Sequence, residues 1–212
     1  MQSATEIIIE NIKSDVFADS DLVNILPGSA HSRYARMKRA MAANEIIQVR
    51  KGLYCLAAKY QRRSLDLFSL AQRVYGPSYV SLESALSYHG WIPEAVYGVA
   101  CVAIKKSRDF TTPFGLFSYR HIPLKPFYKY VERILTAEGN ICFMAHPGKA
   151  LADYVYIYKK NWRNPAPAVK SLRIDQEQLN RLTRQACDEL SDCYASVRVR
   201  TFLAGVKKEL AE

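Results

Sequence analysis

The sequence predicts an α+β chain in two parts, a short helical unit closed by a hairpin and a longer mixed unit behind it. Three observations predict this. Apolar residues recur at helical spacing up to about residue 43, then give way to two short β-prone runs at 46–49 and 53–56. A polar, basic connector follows, Lys59-Tyr60-Gln61-Arg62-Arg63. Beyond it, β-branched and aromatic runs alternate with amphipathic stretches, as a sheet covered by helices requires. The connector places the domain limits at 1–63 and 64–212.

In the first unit, Ile7, Ile8 and Ile12 give a short amphipathic helix over 5–12. A second helix is expected over 19–26, capped by Asp19 or Ser20, with Leu22, Val23 and Leu26 as its apolar face. Pro27-Gly28 breaks the chain. Ser29 or Ser32 then caps a third helix reaching Ala43, and Asn44 suits the left-handed conformation that ends it. On that helix Tyr34, Met37 and Met41 stand at i, i+3 and i+7 and are expected to face the core. Arg50-Lys51-Gly52 forms the hairpin turn, with Gly52 free to take positive φ. Helix, helix, turn, helix and hairpin is the order of a winged helix-turn-helix, so this unit is expected to be one.

In the second unit a helix over 65–74 is stopped by Gly76-Pro77, and another is expected over 80–89 with Ser81 as its cap. Strands are expected over 99–104, 110–112, 116–122, 131–135 and 141–145, with Phe117, Tyr119 and His121 on one face of the third. Residues 148–160 read as helix, and 161–169 as a loop containing Pro165 and Pro167. Amphipathic helices over 175–190 and 197–210 close the chain. The expectation is a small sheet with C-terminal helices against it.

Net charge is +10, and its distribution says more than its total. Residues 1–27 carry −4 and residues 64–212 carry +6, whereas 28–63 hold nine bases against one acid, Glu45, for +8. Concentration of cations in one short stretch is the electrostatic footprint of a polyanion partner. A recognition helix enters the major groove and reads base edges through its N-terminal residues. Arg33 and Arg36 are therefore expected to donate paired hydrogen bonds to guanine, with His31 and Ser32 on phosphates or single bases. Lys38 and Arg39 lie further along and are expected on phosphates, as are Arg50 and Lys51 at the wing tip. Arg62 and Arg63 either extend this track or solvate the connector. Duplex operator DNA is the expected partner, with self-association on repeated half-sites.

Other classes are disfavoured. The five cysteines are odd in number and form no CxxC pair, and the four histidines have no metal-ligand spacing, so neither a disulfide framework nor a metal is expected. The early run of three isoleucines is too short for a signal peptide, and no stretch reaches the roughly 20 apolar residues of a membrane span, so a cytoplasmic location is expected. Glu83, Glu94, Asp109 and Asp153 are scattered. The segment HPGKA lacks the upstream glycine and following hydroxyl of a phosphate loop, and Ser81, Ser84 and Ser87 stand in no nucleophile elbow. No catalytic residue, cofactor or enzymatic activity is expected.

The stretch YGPSYVSLESALSYHGWIPE at 75–94 is the most distinctive in the chain. It resembles the PSY-(I/V)-SLESALSYHG segment of the AbiEi family of antitoxins and related transcriptional regulators. SRYARMKRAMAANEIIQVRKGLYCLA at 32–57 resembles that family's winged helix, and RDFTTPFGLFSYRHI at 108–122 its Thr-Pro-Phe-Gly strand region. HPGKALADYVYIY at 146–158 resembles its PEKALLDYLY helix, departing where Gly148 replaces the usual acid. The resemblance implies an antitoxin that represses its own operon and counteracts an AbiEii-like nucleotidyltransferase toxin, by contact or otherwise. From the residues themselves, Tyr79, Leu82, Ala85 and Leu86 are expected to pack a helix, while Ser78, Ser81 and Glu83 satisfy its N-terminal amides. The alternatives are a regulator without antitoxin role, a protein-interaction module with an acidic partner, or a nuclease.

Overall fold

The computed structural model describes residues 2–94 and 97–210, so the expected outer domain limits, Met1 and Glu212, lie outside the described residues. The chain is mixed α+β, with two sheets and helices on both sides of the seam between them.

Helix α1 (Ala4–Asn11) starts from a reciprocal cap: Ser3 accepts from the Glu6 amide while the Glu6 carboxylate accepts from the Ser3 amide. Two otherwise orphaned amides are thereby satisfied. The chain then extends through β1 (Val16–Ala18) into α2 (Asp19–Val23), α3 (Ala30–Ala42), β2 (Ile46–Arg50) and β3 (Leu53–Leu56). Strand β1 was not expected, because three residues are too few for an alternation to show. It pairs antiparallel with β3, which also takes β2, giving the order β1-β3-β2. Helix α2 ends three residues before the expected limit, and its N-cap is Ala18 rather than Asp19 or Ser20. The Ala18 amide donates to Asp21 at 2.8 Å. Leu22 and Leu26 are buried as expected, but Val23 is exposed.

The two faces of this small sheet belong to different cores. Phe17, Tyr54, Ile46 and Leu56 pack with Ile8, Leu22 and Met37 from the three helices and with Leu26 from the segment after α2. Val16, Val49, Leu53 and Cys55 point the other way and join the large core of the second unit.

That second core surrounds a six-stranded sheet in the order β6-β7-β5-β4-β9-β8. Its strands are β4 (Ser78–Val80), β5 (Gly98–Ala103), β6 (Arg108–Thr112), β7 (Gly115–His121), β8 (Val131–Leu135) and β9 (Ile141–Ala145). A central antiparallel pair, β4 and β5, is flanked by parallel neighbours β9 and β7, each of which forms a hairpin with the outer strand. The sheet is larger than the small one expected, and β4 occupies the start of the expected 80–89 helix. The helix itself, α5 (Leu82–Tyr88), begins after a sharp turn in which Leu82 takes φ 52. Phe117 and Tyr119 are buried together, while His121 at the strand end is exposed. Helix α4 (Leu67–Val74) covers one face, where the Tyr119 hydroxyl donates to the Ala71 carbonyl at 2.5 Å. Helix α6 (Pro147–Ile157) packs over α5 and β9.

The C-terminal region departs twice from expectation. Residues 166–172 form α7 (Ala166–Leu172) instead of loop, since Pro165 and Pro167 fall at the helix start, where a proline needs no amide partner. The expected 175–190 helix is broken into α8 (Gln176–Leu179) and α9 (Arg184–Cys193), the second restarted by Thr183 accepting from the Ala186 amide. Helix α10 (Val197–Glu209) passes so close to the 163–164 backbone that a Cβ on Gly205 would lie 2.0 Å from the Arg163 carbonyl oxygen. Gly205→Ala should therefore cost about 1–3 kcal/mol or more, because backbone rather than a pliable side chain must yield. Urea unfolding reads this directly, and an unchanged midpoint would contradict the packing described.

Candidate nucleic-acid interface

Helix α3 forms because Ser29 caps it, accepting from the Ser32 amide at 3.2 Å, and because Ala, Arg, Met and Lys dominate its length. Asn44 ends it at φ 53, as expected. Its buried stripe is Met37 and Ala40 with Met41 half-buried, whereas Tyr34 is 60% exposed. The helix is thus turned on its axis relative to the expected Tyr34-Met37-Met41 face. The small Ala40 side chain lets the backbone approach β2 and α1.

That rotation reassigns the basic residues. His31, Ser32, Tyr34, Lys38 and Arg39 are exposed on the outward face. Arg33 and Arg36, the expected guanine readers, sit half-buried on its flanks. Arg33 donates to the Gly28 carbonyl at 2.6 Å, and Arg36 reaches the Gln2 carbonyl at 3.3 Å. Among the described residues the Arg39 side chain makes only one long hydrogen bond, 3.4 Å to the Ala35 carbonyl of its own helix.

At the hairpin tip Gly52 has φ 77, but the two cations do not project together. Lys51 is exposed. Arg50 instead folds back, donating to the Val74 carbonyl at 2.6 Å and the Lys51 carbonyl at 2.8 Å. Val74 is the last residue of α4, so the guanidinium complements the negative end of that helix. Arg50 is a seam residue here and not a free tip cation. The connector arginines are used likewise: Arg62 pairs with Asp15 at 3.2 Å and also meets the Ile9 carbonyl, while Arg63 donates to the Gly139 carbonyl. Lys59 stands over the Tyr60 ring.

A second cluster lies inside the α+β unit, where two of the distinctive sequence segments meet. Asp153 of α6 accepts from the Tyr79 hydroxyl at 3.0 Å, from Ser81 at 2.7 Å and from the Tyr194 hydroxyl at 2.5 Å. Lys149, one turn earlier, has its Nζ 3.9 Å from the same carboxylate and within 5.1 and 5.4 Å of the Tyr79 and Tyr194 ring centres. Burial and the neighbouring Asp153 charge push both tyrosine hydroxyls well above their ordinary range, so both remain donors. Lys149 and Asp153 have no exposed surface, so no substrate reaches them. Ser81 spends its hydroxyl here and caps no amide, and Ser78 donates to the Tyr75 carbonyl at 2.7 Å instead of capping.

Sequence reasoning passed over Lys149 and Asp153, the first in a segment rejected as a phosphate loop and the second among scattered acids. The signal was present: an i, i+4 charge pair on a helix that after its Pro-Gly start is otherwise Ala, Leu, Val, Ile and Tyr has no polar face to occupy. The departure at Gly148 also has a cause. A Cβ there would lie 2.8 Å from Leu182 Cδ2 and 3.4 Å from Leu190 Cδ1, so the α8–α9 region occupies the space an acid would need.

The remaining titratable groups are packed ones. His89 Nε2 lies 3.1 Å from the Ala145 carbonyl, and burial lowers the pKa of both His89 and His146. All five cysteines are buried and unpaired, with burial pushing the Cys55 and Cys142 thiols up to about 12. Among the described residues no group of three or more His, Cys, Asp or Glu is placed to hold a metal, and no helix is long and apolar enough to cross a membrane. A scan against protein-family models matches none, and a search among curated proteins finds no match.

Proposed function

We propose that the N-terminal unit is a winged helix-turn-helix and that the chain is a cytoplasmic, non-enzymatic autorepressor acting as the antitoxin of a toxin–antitoxin pair. The observation that carries the DNA-binding part is the outward face of α3. His31, Ser32, Tyr34, Lys38 and Arg39 are exposed along it, with Lys51 at the hairpin tip. A helix backed by its own small core, with a cationic face left to solvent, has the form that fits a major groove.

Arg33 and Arg36 flank that face; each is tied to a carbonyl by one nitrogen and keeps its other N–H donors for DNA. Lys38 and Arg39 carry more of the interaction in this reading than the residues nearer the helix start. The antitoxin part rests on the AbiEi-like segments, two of which converge on Asp153. A nucleotidyltransferase toxin is the counterpart that resemblance implies, and self-association on repeated half-sites would enlarge a small interface.

Titrating a labelled operator duplex against salt tests the reading. Lys38, Arg39, Lys51 and one flanking arginine give about four phosphate contacts, hence a log K–log salt slope of about −3 to −4 per chain. Binding insensitive to salt would remove DNA as the partner.

A further inference from the structure

We infer that the seam between the two units is a binding site for a nucleoside phosphate. A cleft of about 490 Å³ opens there, within the roughly 300–1,000 Å³ typical of small-molecule sites. Four cations line it, Lys13, Arg62, Arg63 and Arg73, against one acid, Asp15. Asp15 is already engaged, accepting from the Arg62 guanidinium and from the Arg62 and Arg63 amides. Asp15 offsets one of these cations and Asp21, 3.9 Å from Arg73, offsets part of a second, leaving a surplus of at least +2 facing the cleft.

The arginines are held but not exhausted. Each guanidinium has five N–H donors. Arg63 spends one nitrogen on the Gly139 carbonyl, and Arg73 spends one on the Val16 carbonyl at 3.2 Å. Arg62 spends its two terminal nitrogens and keeps Nε. Anchoring a guanidinium by one edge to carbonyls fixes its plane and leaves the other edge for an incoming phosphate, which lowers the ordering cost of binding. Lys13 is exposed and adds a flexible cation at the rim. Beside these donors the cleft has an apolar wall, formed by Leu65 and by Ile141, which is 42% exposed. Phosphate-directed donors next to an uncovered aliphatic surface match a ligand with both a phosphate chain and a flat heterocycle. Lys13 and Arg62 come from one side of the seam and Arg73 from the other, so the ligand would touch both units.

Isothermal titration of the full chain with ATP, without DNA, tests this. A single site is expected, weakened at least about tenfold by Arg63→Ala with Arg73→Ala, the scale for losing two charge-assisted contacts. Lys13→Glu, on an exposed side chain that makes no hydrogen bond or ion pair among the described residues, should weaken it as well while leaving the unfolding midpoint unchanged. Lys38→Ala with Lys51→Ala, outside the cleft, should leave ATP affinity within about twofold, which separates this site from the DNA-binding reading. Absence of ATP binding overturns the inference. Equal affinity for inorganic tripolyphosphate would overturn the nucleoside assignment. Displacement of ATP by duplex in a Lys38→Glu, Arg39→Glu chain would give the cleft to nucleic-acid backbone instead.

Discussion

Asp153→Ala is expected to lower stability by about 3–5 kcal/mol, the cost of leaving a buried charge without its partner. The loss is large because one carboxylate serves four groups. Its removal leaves the Tyr79, Ser81 and Tyr194 hydroxyls without the acceptor they share, and Lys149 with no counter-charge. Among the described residues Lys149 Nζ has no hydrogen-bond partner even in the intact cluster, so no second acceptor is already in place. Lys149→Met should cost distinctly less. Methionine keeps the stem volume between the two rings, and Asp153 retains its three hydroxyl donors. Tyr194→Phe should fall between them, at about 1–3 kcal/mol for one charge-assisted bond lost. Urea unfolding of the three variants gives the order. Equal and small effects for Asp153→Ala and Lys149→Met would show that the cluster is not a charge-centred one. Against a usual total of about 5–15 kcal/mol, the first variant removes enough to lower the folded population in cells.

The parts of the fold that were legible in the sequence are those whose signal is local. The third helix announces itself by Ser29, its periodicity and Asn44, and the hairpin by Gly52 between two β-prone runs. Strands β8 and β9 and helix α10 are similarly self-contained. Strands β1 and β4 are three residues each and exist because partners distant in sequence pair with them. Helix α7 is hidden by its prolines, whose effect depends on whether they fall at a helix start or inside one.

The candidate sites were legible in composition and not in orientation. Periodicity shows which residues of α3 share a face, but Tyr34-Met37-Met41 and Met37-Ala40-Met41 are both apolar, and only packing against α1 and β2 chooses the second. Arg50 read as a tip cation because Val74, which binds it, lies 24 positions later. The Asp153 cluster joins residues 41 to 74 positions apart, so the sequence shows the Lys149–Asp153 pair but not the three hydroxyls it meets.

Lys38→Glu with Arg39→Glu should reduce duplex affinity by at least about a hundredfold and make the salt slope shallower by about 2, because two phosphate contacts become repulsions. Both side chains are exposed and, among the described residues, make no hydrogen bond or ion pair outside their own helix, so circular dichroism and the unfolding midpoint should stay at their parental values. Arg50→Ala supplies the contrasting case. Its guanidinium is committed to the end of α4, so its removal should cost about 1–3 kcal/mol of stability and leave the affinity of the folded chain within about twofold. Fluorescence anisotropy at fixed salt on folded protein separates the two, since one variant loses binding without stability and the other stability without binding. The reverse pattern would put the DNA on the hairpin side and not on α3. Arg33→Ala with Arg36→Ala discriminates further. If base readout starts at the first turn of α3, this pair loses sequence preference as well as affinity; if the outward stripe carries the interaction, it loses little of either.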